Sequence, residues 1–132
     1  MTPRRRGALL AGTLAACAAL TVGCGGTVET TAAPPHQMSN GNPERGARLI
    51  QKYGCGSCHE VPGVDNADGL VGPPLDHFAE RTYVAGVLPN SQKNLEKWIE
   101  SPQSVVPGNA MPDLGVTHRD AEDITAYLYT LR

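Results

Sequence analysis

Two of this chain's four cysteines, Cys55 and Cys58, stand three positions apart with His59 directly behind them, in the run CGSCH. Few fates are open to such a group. The thiols can bridge each other, exchange with other thiols, help to hold a zinc ion, or fix a larger prosthetic group. Each fate asks something different of the rest of the chain.

Thiol exchange of the thioredoxin kind belongs to a chain of alternating strands and helices, and no such alternation is present. A structural zinc needs four ligands, but no second close pair accompanies the first, and His36, His77 and His118 are scattered. A disulfide between Cys55 and Cys58 would close a very short loop and add little stability. C-x-x-C-H is, by contrast, the attachment signature of c-type haem. Each thiol adds to one vinyl group of the porphyrin, and the adjacent histidine stands beneath the iron as proximal ligand. Composition agrees. Aromatic residues make up only 5% of the chain, beside 15 glycines and 11 prolines. A domain this small and poor in rings gains from an apolar group in its interior.

An iron held by His59 has a sixth position to fill. Of the three methionines, Met1 is the initiator and Met38 lies in a proline-rich linker, which leaves Met111 in the proline-bounded stretch VVPGNAMPDLG. A thioether there would favour ferrous iron and raise the potential.

The N-terminus reads as an export signal. Arg4, Arg5 and Arg6 precede the uncharged apolar residues 8–23, the pattern of a secretory leader. TVGC, ending at Cys24, resembles a bacterial lipobox, so residues 1–24 are expected to be a lipoprotein-type signal with Cys24 lipidated. LAAC, ending at Cys17, is the alternative. Residues 25–41 are small, polar and proline-rich, a flexible tether. Outside the cytoplasm a free thiol pair tends to oxidise unless it is covalently occupied.

Residues 42–132 carry the domain. Asn42 is a helix cap with Pro43 in the first helical position, and Gly46, Ile50 and Tyr53 share one face of the helix that runs into the cysteine pair. A short helix is expected near 75–83. A second amphipathic helix starts from Ser91, with Leu95, Trp98 and Ile99 on one face, and stops at Pro102. The segment 102–115 reads as irregular. The last helix begins with Thr117 and Asp120 as a capping pair and carries Ala121, Ile124, Tyr127 or Leu128, and Leu131 as its stripe. No segment alternates convincingly as a strand, so the expected class is all-α with long irregular loops.

From about Asn42 to Leu131 the chain resembles the small class I monohaem cytochromes c. The shared features, in order, are Gly46, CGSCH, GPPL at 72–75, ESPQSVVPGNAM and EDITAYLYTL. The resemblance implies three to five helices around one covalent haem. It also implies that the Pro73 carbonyl accepts the ring N–H of His59, that Gly46 faces Tyr127 where the first and last helices cross, and that Trp98 belongs to the haem pocket. Within the family, the run from Tyr83 through Met111 is most similar to the cytochrome c domain fused to subunit II of bacterial haem–copper oxidases.

These readings lead to an exported one-electron carrier rather than an enzyme, tethered at the outer face of the membrane by its lipid anchor. Its implied donor is a quinol–cytochrome c oxidoreductase or a dehydrogenase, and its implied acceptor a haem–copper oxidase. The alternative is a ligand sensor or peroxidase-like haem protein with a displaceable distal ligand, or bis-histidine ligation through His77 or His118. Loss of Arg4, Arg5 and Arg6 with the leader makes the chain three units more negative than its formal −2. That sign denies the protein the basic steering of mitochondrial cytochrome c, and no nucleic-acid partner is expected. Arg48, Lys52, Lys93 and Lys97 read as solvated helix faces.

Overall fold

The computed structural model describes residues 40–132. The leader, Cys24 and all but the end of the tether lie outside the described residues. Helix α1 spans Pro43–Lys52, α2 Gln92–Glu100, α3 Pro102–Val105 and α4 His118–Leu128. Single tight helical turns occur at Cys55–Ser57 and Phe78–Glu80.

Capping side chains start three of the four helices. The Asn42 side chain accepts from Arg45 N–H at 2.6 Å, with Pro43 at the first helical position where its missing N–H costs nothing. Ser91 caps α2 by accepting from Asn94 N–H, and Thr117 caps α4 by accepting from Asp120 N–H. Helix α3 corrects the expectation of irregular chain from 102 onward. Pro102 does end α2, but it occupies the first position of a new turn, where proline is favoured rather than forbidden. The expected helix near 75–83 is the one tight turn Phe78–Glu80. Just after it the chain forms a small antiparallel hairpin, absent from the all-helical expectation, in which β1 (Tyr83–Val84) pairs with β2 (Leu88–Pro89).

The principal helix contact is α1 against α4. Gly46 allows it, because a Cβ there would overlap the Asp123 carbonyl and lie 2.9 Å from the Tyr127 Cβ. Glycine and aromatic therefore meet as the family resemblance implies. The core behind the crossing holds Leu49, Ile50, Val84, Leu95, Ile99, Ala121, Ile124 and Leu128. Full burial of each larger aliphatic is worth about 1.5–3 kcal/mol. A buried carboxylate lies among them. Asp123 is fully buried, accepts from the Asn42 N–H at 2.7 Å and pairs with the Arg45 guanidinium. It thereby satisfies an orphan donor at the start of α1 from across the interface. At the other end of α1, Tyr53 donates its hydroxyl hydrogen to Asp120 at 2.7 Å.

Candidate functional site

Helix α1 ends at Tyr53, and Gly54 turns the chain with a positive φ of 70° into the tight turn Cys55–Ser57. The turn is closed by Cys58 N–H and His59 N–H, both donating to the Cys55 carbonyl at 3.2 and 3.0 Å. Cys55, Cys58 and His59 thereby reach one cavity of about 440 Å³. This volume falls within the ~300–1,000 Å³ usual for cofactor sites. Trp98 from α2 lines the same cavity, as do Met111 from the loop before α4 and Pro73 from the loop after the cysteine turn. Chain segments far apart in sequence thus converge on one space. His77 and His118 are not among the lining residues, and they contact Glu80 and Glu100 instead.

The His59 ring is held on two sides. Its Nδ1 lies 2.7 Å from the Pro73 carbonyl oxygen. A carbonyl can only accept, so Nδ1 carries the hydrogen and Nε2 keeps a free lone pair. One face of the ring rests on Gly72, where a Cβ would come no farther than 2.9 Å from Cε1, Nδ1 and Nε2. Gly72 N–H donates to the Cys58 carbonyl at 2.7 Å, which ties this glycine to the cysteine turn.

Both cysteines are free thiols and partly buried. Burial, the dominant effect, pushes the Cys55 thiol above its ordinary value, and the neighbouring Cys58 adds to the rise. Thiol exchange calls for the opposite, a thiolate stabilised near neutral pH. Among the described residues no three His, Cys, Asp or Glu side chains gather as a metal-ion site, so a zinc centre lacks its ligand set there. An apolar cavity with two free thiols at its edge, an imidazole nitrogen left bare and a thioether in its wall suits a porphyrin iron.

Sequence reasoning missed four contributors. Gly72 lay inside a recognised motif, but its contact with the imidazole follows only from the fold. Arg81 is the one lining residue with a permanently charged side chain. It donates to the Pro74 carbonyl and, at 2.9 Å, to the Asp76 carbonyl, which braces the loop that carries Pro73. Its guanidinium also lies 5.1 Å from the centre of the Phe78 ring. Gln103 and Asn109 grip the loop around Met111. Their amide side chains gave no signal, because nothing in the local pattern distinguishes a gripping amide from a solvated one.

Fold and site together define a small helical haem protein, and the comparison with known families agrees. The chain belongs to the cytochrome c family, whose model, described as Cytochrome c, matches residues 43–132. Membership implies a covalently bound haem c. The chain is similar to cytochrome c oxidase subunit 2 of Alkalihalophilus pseudofirmus, 35% identical over 106 residues that make up 80% of this chain and 30% of that protein. It is also similar to cytochrome c oxidase subunit 2 of Bacillus subtilis, 35% identical over 88 residues, 65% of this chain and 25% of that protein. A third relative is the cytochrome c of Euglena viridis, 33% identical over 107 residues, 70% of this chain and 99% of that protein. The chain thus spans less than a third of the oxidase subunits it matches. Among the described residues no helix is long and apolar enough to cross a membrane.

Proposed function

We propose that this protein is a one-electron carrier whose haem is attached through Cys55 and Cys58 and bound axially by His59 and Met111. The observation that carries the reading is the arrangement at His59. Its Nδ1 is committed to Pro73, which leaves Nε2 bare in the same cavity that Met111 lines. Attachment is an addition: each thiol hydrogen and sulfur add across a vinyl double bond, and nothing leaves. When bound, the haem supplies an iron couple that gains and loses one electron. The protein's own part is to hold both ligand side chains in place and to exclude water. Pro73 fixes the tautomer and orientation of His59, the kind of outer contact that tunes a metal ligand. Trp98 and the aliphatic lining keep the surroundings of low polarity, which sets the potential.

Electrons would pass from a quinol-oxidising complex or a dehydrogenase to a terminal haem–copper oxidase. Similarity to two oxidase subunits supports that acceptor. Export by residues 1–24 and a lipid on Cys24 would keep the carrier at the outer face of the membrane, on the tether 25–41. The deciding experiment is a reductive titration followed by visible spectroscopy. A six-coordinate ferric spectrum with a thioether-to-iron charge-transfer band, lost in Met111→Ala, is expected. Rapid carbon monoxide binding by the untreated ferrous protein would overturn the closed axial pair. Covalent haem persisting in Cys58→Ala would overturn the attachment.

A further inference from the structure

Met111 stands on chain that has no helical or strand ladder of its own, yet its main chain is tied on both sides by side-chain amides. Asn109 Oδ1 accepts from the Met111 N–H at 2.8 Å. Gln103 Nε2, reaching over from α3, donates to the Met111 carbonyl at 2.8 Å. The same two amides use their remaining capacity on the same short segment. Gln103 Nε2 also donates to the Asn109 carbonyl at 3.0 Å, and its Oε1 accepts from Gly108 N–H at 3.0 Å. Asn109 Nδ2 donates to the Pro102 carbonyl at 3.1 Å and to the Val106 carbonyl at 2.6 Å. Between them the two side chains stand in for a regular backbone ladder from 106 to 111, beyond the end of α3. Gly108, with a φ of 80°, makes the reversal that brings the two amides together.

We propose that Gln103 and Asn109 are positioning residues that hold Met111 in place as an axial ligand; the inference rests on the axial reading given above. A thioether is a neutral, weak ligand, so its hold on the iron depends on how little the loop must be ordered when the bond forms. A segment already closed by six side-chain hydrogen bonds has little freedom left to lose. The two amides thus act on the iron through the Met111 main chain; Asn109 also lines the cavity, whereas Gln103 does not. Outer contacts of this kind change metal affinity by about 10–100-fold when removed.

The test is competition at the Met111 position. Imidazole is titrated into the ferric holoprotein, and its apparent affinity reports how readily Met111 lets go. Gln103→Met keeps the length of the side chain and removes both the donor and the acceptor of its amide, so imidazole should bind about 10–100-fold more tightly than to the wild type. Ser104→Ala is the control on the same helical turn. It deletes a bond to the Ser101 carbonyl and nothing at Met111, so imidazole affinity should stay at the wild-type value. Wild-type affinity in Gln103→Met, or an equal rise in Ser104→Ala, overturns the inference. Should Gln103→Met fail to accumulate as holoprotein, hydrogen exchange of the wild type decides. The Met111 amide should be protected well beyond an exposed loop amide, and exchange at the unprotected rate overturns the inference. The axial reading fails separately: its signature is a charge-transfer band that is missing from the wild type or survives in Met111→Ala.

Discussion

The contact between Gly72 and the His59 ring permits a sharp test by Gly72→Ala. Its φ is not positive, so alanine can adopt the backbone without strain. On backbone grounds alone the substitution should stabilise the protein, by about 0.4–1 kcal/mol, through the lost freedom of the unfolded chain. The site geometry argues the opposite. The new Cβ would stand 2.3 Å from Cε1 and 2.5 Å from Nδ1, whereas ordinary contact begins at 3.4 Å, so the ring would have to retreat by about 1.1 Å. Because Gly72 lies against the ring's face, the retreat runs across the ring plane that contains the 2.7 Å bond to Pro73. It tilts that bond and lengthens it only to about 2.9 Å. Overpacking costs about 1–3 kcal/mol, and with the gain of about 0.4–1 kcal/mol set against it the balance is a net loss centred on about 1–2 kcal/mol. A histidine free to swing would escape most of this cost; one tied to Pro73 through Nδ1 and, on the axial reading proposed above, to iron through Nε2 cannot. Each kcal/mol is worth roughly 4–8 °C in a domain of this size, so the holoprotein should melt about 10 °C below the wild type. Thermal unfolding by far-ultraviolet circular dichroism measures the effect, and the ferric visible spectrum should report a displaced ligand. A melting temperature at or above the wild-type value would refute both the close contact and the tethered ring.

Gly46→Ala sets the same two forces against each other at the helix crossing. Helix propensity favours alanine by about 1 kcal/mol, but the Cβ overlaps the Asp123 carbonyl, so the urea midpoint should fall. A higher midpoint would contradict the close crossing. Tyr53→Phe removes the hydrogen bond that is the main cause of the lowered Asp120 pKa, with Lys52 and Arg45 adding to it. A lowered folded pKa contributes stability above the unfolded value of about 3.9, lost as pH falls through the folded one. The deficit of this variant should therefore be full at neutral pH and shrink in acid; a pH-independent deficit would count against it. His118 titrates in the opposite sense. Its contact with Glu100 at 2.7 Å raises the pKa first, with Glu122 and Glu96 adding to the rise. That stability is complete below about pH 6.5 and is lost as pH rises through the raised folded value. Glu100→Gln should therefore melt below the wild type near pH 5.5 and converge with it by about pH 9. Equal melting temperatures throughout would exclude the pair as a contributor.

The parts legible in the sequence were those encoded locally. Asn42, Ser91 and Thr117 cap helices through contacts three residues long, and Cys55, Cys58 and His59 declare their chemistry by spacing alone. Proline misled where its position within the element mattered more than its identity. Pro102 does end α2, but it also opens α3 inside the stretch expected to be irregular. The hairpin escaped because strands of two residues cannot alternate visibly, and because its turn puts Ala85 at a φ of 53°, a conformation usually left to glycine or asparagine. Asp123 escaped for a different reason. A charged residue one place before Ile124 looks like solvent, and only the partner helix supplies the Asn42 N–H and the Arg45 guanidinium that make its burial tolerable.

The two sides of the cavity are stabilised by separate and short-range means. On the His59 side, residues 54–73 carry the cysteine turn, Gly72 and Pro73, and most of their bonds close among themselves, with Gln51 and Tyr127 adding bonds to the Asp65 and Pro62 carbonyls. On the Met111 side, the Gln103 and Asn109 amides close the segment 102–111 on itself. The ends of the larger stretch that contains it meet where His118 of α4 contacts Glu100 of α2. Neither half borrows hydrogen bonds from the other, so the long-range order that sets them face to face must come from the α1–α4 crossing and the core behind it. Damage to one half should therefore leave the other intact. On the ligation proposed above, loss of the Met111 grip should open an axial position while Cys55, Cys58 and His59 still hold the haem. Loss at Gly46 should instead lower the stability of both halves together, with the ligand set unchanged until the protein unfolds.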